Sequence, residues 1–129
     1  MAPPQLERVH TVRQWPPVLI LTLIRNKATQ NNWLEKVHTK MLQTERLLVD
    51  GTQHYLLYGV IVHHGPTIQV GHYTAYVRRA GDIWLHCDDE QAPRVVQLQE
   101  VLDAQAYLLL YQRERLAEAA PLVEDIQIL

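Results

Sequence analysis

His72 and Asp88 are the side chains best placed for chemistry, because the stretch between them reads as a hairpin that brings an imidazole to a carboxylate. Gly71 to Asp89 reads GHYTAYVRRAGDIWLHCDD. Two runs of alternating character, His72 to Arg78 and Asp82 to Asp88, flank Arg79-Ala80-Gly81. A three-residue hairpin loop commonly ends on a glycine in the left-handed region, and Gly81 stands there. Taking Arg78 opposite Asp82 as the closing pair sets opposite charges face to face. That register pairs Val77 with Ile83, Ala75 with Leu85 and Tyr73 with Cys87, an apolar face expected to be buried. The other face pairs Tyr76 with Trp84, Thr74 with His86 and His72 with Asp88. A carboxylate beside a histidine fixes its tautomer and stabilises the imidazolium formed when it takes a proton, which is half of a nucleophilic triad. The nucleophile is the missing half, and the competing reading is a surface ion pair in an ordinary hairpin.

Composition narrows the setting. A chain of 129 residues is long enough for one domain with a core. Net charge is −2 with no basic run, so nucleic acid finds no electrostatic footprint. The start, MAPPQLERVH, has no signal-peptide core, and the longest apolar run, Val18 to Ile24, is too short to span a bilayer. The one cysteine, Cys87, excludes an intrachain disulfide framework and a cysteine-based zinc site. These features suit the cytoplasm or nucleus.

The elements that must carry the hairpin follow from apolar runs and their punctuation. Val18 to Ile24, after Pro16-Pro17, reads as a buried strand. Trp33 to Leu48 has a partly helical spacing. Asp50-Gly51 marks a turn. Tyr55 to His63 is nearly all apolar and reads as a central strand, with Gly59 marking a bulge or close backbone approach. Gly65-Pro66 opens a loop running to Gly71. Arg94 to Leu98 reads as a short strand, Gln99 to Gln105 as two helical turns, and Ala106 to Arg113 as a last strong strand. Glu114 to Ala120 could be helical, ending at Pro121. The expected class is α+β, mainly antiparallel sheet with minor helix.

The order of these words resembles the ubiquitin-specific protease family, papain-like cysteine proteases that remove ubiquitin. Pro17-Val18-Leu19 through Leu23-Ile24-Arg25 resembles "LPxVLxLxLKR". Tyr55 to Gly65 resembles "YxLxAVVVHxG". Gly71-His72-Tyr73-Thr74-Ala75-Tyr76 resembles the histidine box, and Trp84-x-x-Cys87-Asp88-Asp89 resembles "WxxFDD". Ala106 to Arg113 resembles the closing "AYxLxYxR".

The resemblance covers residues 16–113, with 1–15 an irregular lead-in and 114–129 a tail, and implies the palm-like C-terminal half of a catalytic domain. It implies His72 as general base, Asp88 as its orienting acid and Asp89 as a supporting second acid. It makes Gly65–Gly71 a loop guarding the channel for the ubiquitin tail, lined by Gly65, Gly71 and Tyr73. Ubiquitin or a ubiquitinated protein is the implied partner, together with a missing N-terminal half that carries the cysteine. No cofactor and no metal are expected.

Departures include Cys87 in place of an aromatic, Val70 before the histidine box and Ile24-Arg25-Asn26 in place of Lys-Arg-Phe. The family's cysteine box and its zinc-binding CxxC pairs have no counterpart in this sequence. Cys87 points to the face opposite His72 and reads as a small buried hydrophobe rather than a nucleophile. His63 and His64 point to opposite faces of a strand, which argues against a shared metal. Tyr76, Trp84, Tyr107 and Tyr111 read as packing aromatics. The alternative function is an inactive module that binds ubiquitin or another partner.

Overall fold

The computed structural model describes residues 10–23, 26–28, 34–36, 43–67 and 69–114. Everything in it is arranged around one long strand. Strand β5 (Gln53–Thr67) pairs along one edge with β9 (Ala106–Arg113) and along the other with β4 (Arg46–Val49) and then β6 (Val70–Arg79). The sheet continues outward through β1 (Val18–Thr22) beyond β9, and through β7 (Ile83–Cys87) and β8 (Arg94–Val96) beyond β6, all antiparallel. A separate two-stranded ribbon joins β2 (Asn26–Ala28) to β3 (Leu34–Lys36). One short helix, α1 (Leu98–Asp103), precedes β9. The class is α+β and mainly antiparallel, as expected.

The near-continuous apolar run of β5 is explained by a change of phase. Tyr55 and Leu57 face the core, and so do Val60 and Val62, although Leu57 and Val60 are three apart. The register with β9 slips between Leu57 and Gly59, so a bulge restores the inward face. Gly59 sits in that bulge as expected, and a Cβ there would lie 3.4 Å from Leu110. A core row crosses the sheet through Leu21, Leu109, Val60 and Tyr76. Trp84, Tyr111 and Val101 of α1 complete the same core. Gln43 holds α1 to the sheet by donating its side-chain amide to the carbonyls of Val101 and Ala104, at 3.0 and 2.8 Å.

The β6–β7 hairpin differs from its expected pairing by two residues. Arg79 closes on Ile83, and Ala75 lies opposite Cys87. The connection is Ala80–Asp82, a 3-10 turn in which Gly81 (φ 75°) is left-handed as expected and Asp82 (φ 58°) is left-handed too. Asp82 tolerates that conformation and so shifts the loop by one residue on each side. The buried face is also the opposite one. Thr74, Tyr76, Arg78 and Trp84 are buried, whereas Tyr73 and Ile83 of the expected apolar core face are exposed. Arg78 makes its burial possible by donating to the Leu57 carbonyl, Asp82 and Glu45 while lying 4.7 Å over the Trp84 ring.

Three further expectations are corrected. Among the described residues the first strand is an edge strand paired with β9 alone, with Val18 and Ile20 exposed. The helical spacing of 33–48 yields β3 and β4 in its described parts; β4 is fixed by pairing with β5 through the left-handed Asp50-Gly51 turn. Residues 37–42, and the helical reading of 114–120 beyond Glu114, lie outside the described residues. Finally, Gly65–Gly71 is mostly strand: β5 runs to Thr67, β6 begins at Val70, and the register slips between His64 and Thr67.

Gly65 and Gly71 make that irregular hairpin possible. At Gly71 (φ +149°) a Cβ would lie 1.9 Å from the His64 carbonyl oxygen and 2.8 Å from His63 Nε2. At Gly65 (φ +145°) it would meet the Val70 oxygen at 2.3 Å. Gly51 (φ +68°), in contrast, has nothing within 4 Å. Gly71→Ala therefore costs more than about 3 kcal/mol, combining backbone strain with a collision. Gly51→Ala costs about 1 kcal/mol from the left-handed conformation alone. Urea unfolding of the two variants checks the difference.

Candidate active site

At the open end of the hairpin, His72 Nε2 lies 2.5 Å from Asp88 Oδ1. The contact expected from the sequence is present although the register is not the expected one. A slip of two residues keeps each side chain on its face, because strand side chains alternate with period two. Asp88 follows the last residue of β7 and reaches His72 diagonally rather than directly across. The chain turns back immediately, with the Gln91 amide donating to the Asp88 carbonyl at 3.0 Å. Asp89 in that turn is left-handed (φ 46°), and its Oδ2 stands 3.3 Å from His72 Nδ1. Both ring nitrogens thus face carboxylates.

The resulting site is an open depression lined by His72, Asp88, Asp89, Glu90 and Gln91. The His72 side chain is 43% exposed, Asp88 28% and Asp89 71%. The hydrogen bond to Asp88 raises the His72 pKa above its ordinary 6.5; partial desolvation opposes this, and the charges of Asp89 and Asp88 add to it. His72, Asp88 and Asp89 also place one potential metal-ligand atom each within 4.8 Å of one another. With carboxylates already at both nitrogens, the geometry is that of an ion-paired imidazole.

Gly65, Gly71 and Tyr73 lie on the adjoining β5–β6 hairpin, with Tyr73 on the sheet face opposite His72. Gly65 and Gly71 face each other across the β5–β6 hairpin. Tyr73, exposed, packs on His63 with ring centroids 4.7 Å apart, and on Tyr107 at 6.0 Å. Cys87 pairs with Ala75, on the face opposite His72 and Tyr76. It is half-buried rather than buried, since that face is the open one. Sequence reasoning weighed His64 only as a metal ligand and did not place it beside His72. It lies directly across from His72 in the β5–β6 register, and its Nε2 is 2.9 Å from Thr74 Oγ1. Alternation along the strand could have placed it there once the pairing of β5 with β6 was fixed.

Comparison with known proteins decides the family. Residues 6–111 match the family model described as ubiquitin carboxyl-terminal hydrolase. The chain belongs to that family. It is 36% identical over 115 residues to ubiquitin carboxyl-terminal hydrolase 23 of Arabidopsis thaliana, covering 81% of this chain and 13% of that protein. It is 46% identical over 63 residues to ubiquitin carboxyl-terminal hydrolase nonstop of Drosophila melanogaster, covering 49% of this chain and 12% of that protein. Among solved structures, it is similar to the SAGA DUB module Ubp8/Sgf11/Sus1/Sgf73 bound to monoubiquitin. That match has TM-score 0.72 and 29% identity, over 78% of this chain and 24% of that one. The same module bound to ubiquitin aldehyde gives TM-score 0.70 at 28% identity, over 78% of this chain and 25% of that one. The chain therefore spans a small part of the length of these relatives.

The raised His72 pKa has a testable sign. A group whose folded pKa lies above its unfolded value contributes stability in full below the unfolded value, here about 6.5, and loses it as pH rises through the folded value. Asp88→Asn lowers the His72 midpoint toward 6.5 and shrinks that pH-dependent increment, leaving the part due to Asp89. An NMR titration of the His72 ring protons, with urea midpoints across the same pH range, reads both.

Proposed function

We propose that this chain is part of a thiol-dependent deubiquitinase catalytic domain, supplying the base and acid while the cysteine comes from outside it. The observation that carries the reading is the 2.5 Å contact between His72 and Asp88 in a chain of this family. The reaction is hydrolysis of the isopeptide bond between the C-terminal glycine of ubiquitin and a lysine. His72 takes the thiol proton as the cysteine attacks the carbonyl, and later gives it to the leaving amine. Asp88 holds one ring nitrogen and stabilises the imidazolium. The other nitrogen must open to the thiol, and Asp89 is the carboxylate that gives way, because its side chain is largely exposed and moves at small cost.

Gly65, Gly71 and Tyr73 line the channel for the ubiquitin tail in this reading. The exposed ring of Tyr73 supports a contact surface there, while the space a Cβ would take at either glycine is filled by the hairpin itself. Ubiquitin or a ubiquitinated protein is the partner. We place the protein in the cytoplasm or nucleus, where a lone thiol such as Cys87 stays reduced.

A second reading has its own support. Cys87 is the single thiol of the chain and faces away from His72, which favours a module that binds ubiquitin or a partner without chemistry. Adding a cysteine-bearing half of a relative in trans, with a fluorogenic ubiquitin substrate, separates the two. Turnover is expected, lost with His72→Ala and reduced about 10²- to 10⁴-fold with Asp88→Asn. Ubiquitin-induced NMR shifts on the chain without turnover in any pairing would establish the binding module instead.

The open sheet face supports the incomplete-domain reading. One row crosses six strands through Ile20, Leu110, Gly59, Val77, Leu85 and Val95. Its ends are exposed, Ile20 at 57% and Val95 at 67%, while Leu110, Val77 and Leu85 are half-buried and Gly59 is buried. An apolar face left partly open among the described residues marks a partner surface. The isolated chain is expected to self-associate or to bind the added half, and Ile20→Lys with Ile83→Lys to return it to a monomer. A wild-type chain that sediments as a clean monomer at high concentration and ignores the added half would contradict this.

A further inference from the structure

We propose that the outer edge of β1 is a pairing site for a second copy of this chain, joining two sheets antiparallel about Ile20. Hydrogen bonding to β9 fixes which backbone groups of β1 are taken. The Arg113 amide donates to the Pro17 carbonyl and the Leu23 amide to the Tyr107 carbonyl, each at 2.9 Å. Bonding alternates along an antiparallel pair, so Leu19 and Leu21 also turn their amides and carbonyls to β9. Val18, Ile20 and Thr22 turn theirs the other way, where no described strand pairs with them.

Side chains follow the same alternation. Leu19 and Leu21 pack against the core, whereas Val18, Ile20 and Thr22 are exposed. Sheets usually protect an edge of this kind with charge, proline or brevity. The other edges among the described residues have that protection. Strand β8 is three residues long, follows Pro93 and carries Arg94, and β4 is four residues long and carries Arg46. Strand β1, reading VLILT, is five residues long and holds neither a charge nor a proline.

Symmetry makes a second copy the fitting partner. The outward-facing residues are spaced evenly about Ile20, so two antiparallel β1 strands set Ile20 against Ile20 and Val18 against Thr22 in both directions. Each of these residues then exchanges its amide and carbonyl with its counterpart. The apposed Ile20 side chains lie on one face, which makes the two open apolar faces continuous. A net charge of −2 gives the copies little mutual repulsion. Pairing of two short strands buries less than a standard interface, so the dimer is weak and forms at high concentration.

Hydrogen exchange followed by NMR in dilute and concentrated solutions of the full chain reads the pairing residue by residue. The amides of Val18, Ile20 and Thr22 are expected to slow about tenfold once about nine chains in ten are paired, while those of Leu19 and Leu21 are protected at every concentration. Sedimentation of charge variants checks the register. Ile20→Lys and Ile20→Glu each set like charges face to face and are expected to be monomeric, and an equal mixture of the two to pair again. Ile83→Lys, on the far side of the sheet, is expected to leave the dimer intact. Outward amides that exchange fast at every concentration, or charge variants with native amide spectra that stay monomeric when mixed, overturn the proposal. Slowing that appears only when a cysteine-bearing half is added assigns the edge to that half and overturns it as well. None of these variants touches His72 or Asp88, so failure here leaves the reading of the dyad standing.

Discussion

Backbone pairing along β5 sets the position of every residue discussed above. This strand hydrogen-bonds to β9 on one edge and to β4 and β6 on the other, so its side-chain phase dictates which face of each neighbour turns inward. The bulge at Gly59 changes that phase in mid-strand and keeps Tyr55, Leu57, Val60 and Val62 in one core. Farther along, the slip between His64 and Thr67 lets the hairpin turn tightly, and Gly71 presses against the His64 carbonyl there. The imidazole of His72 stands one residue beyond that contact. Its location is thus a consequence of backbone packing that side-chain chemistry alone would not fix.

The two ends of the sheet have different physical characters. At the hairpin turn, a buried guanidinium is satisfied by a carbonyl, two carboxylates and an aromatic face, which locks β6 to β7 and to the segment before β4. A second polar tie joins the sheet to α1. The Tyr76 hydroxyl donates to Glu100 at 2.9 Å, and burial together with that carboxylate pushes the Tyr76 pKa up to about 12. Arg94 bonds the same carboxylate and, with Tyr76, holds the Glu100 pKa below its ordinary value. At the other end, His72, Asp88 and Asp89 are wet and lightly held. Rigid polar anchoring at one end contrasts with a lightly held histidine–carboxylate pair at the other.

How much of this could be read from the sequence follows from the period of a strand. Alternation in His72–Arg78 and Asp82–Asp88 specifies which residues share a face, and so the His72–Asp88 contact and the placing of Cys87 on the face opposite His72 were both legible. Alternation does not specify the offset between two strands when the turn residues allow more than one loop, and Asp82 accepted the left-handed conformation assigned to Gly81 alone. Nor does it say which face is buried. Val77, Ala75 and Leu85 look like a core, yet Tyr76, Trp84 and Arg78 occupy it, because the two aromatic rings share the core with Val101 of α1 and the Arg78 guanidinium is satisfied by Leu57, Asp82 and Glu45. The helical spacing over 33–48 was overridden in β4 by pairing with β5, which no local pattern reveals. Gly59 and the Asp50-Gly51 turn were legible because glycine answers to backbone geometry directly.

The position of Cys87 has a practical meaning. The lone thiol sits half-exposed on the open apolar sheet face, next to Ala75, and away from the imidazole. Its rate of alkylation is therefore a built-in gauge of whether that face is covered. A reagent that labels it quickly in the free chain and slowly in an assembly would report the docking event directly, with no engineered tag and without touching the dyad.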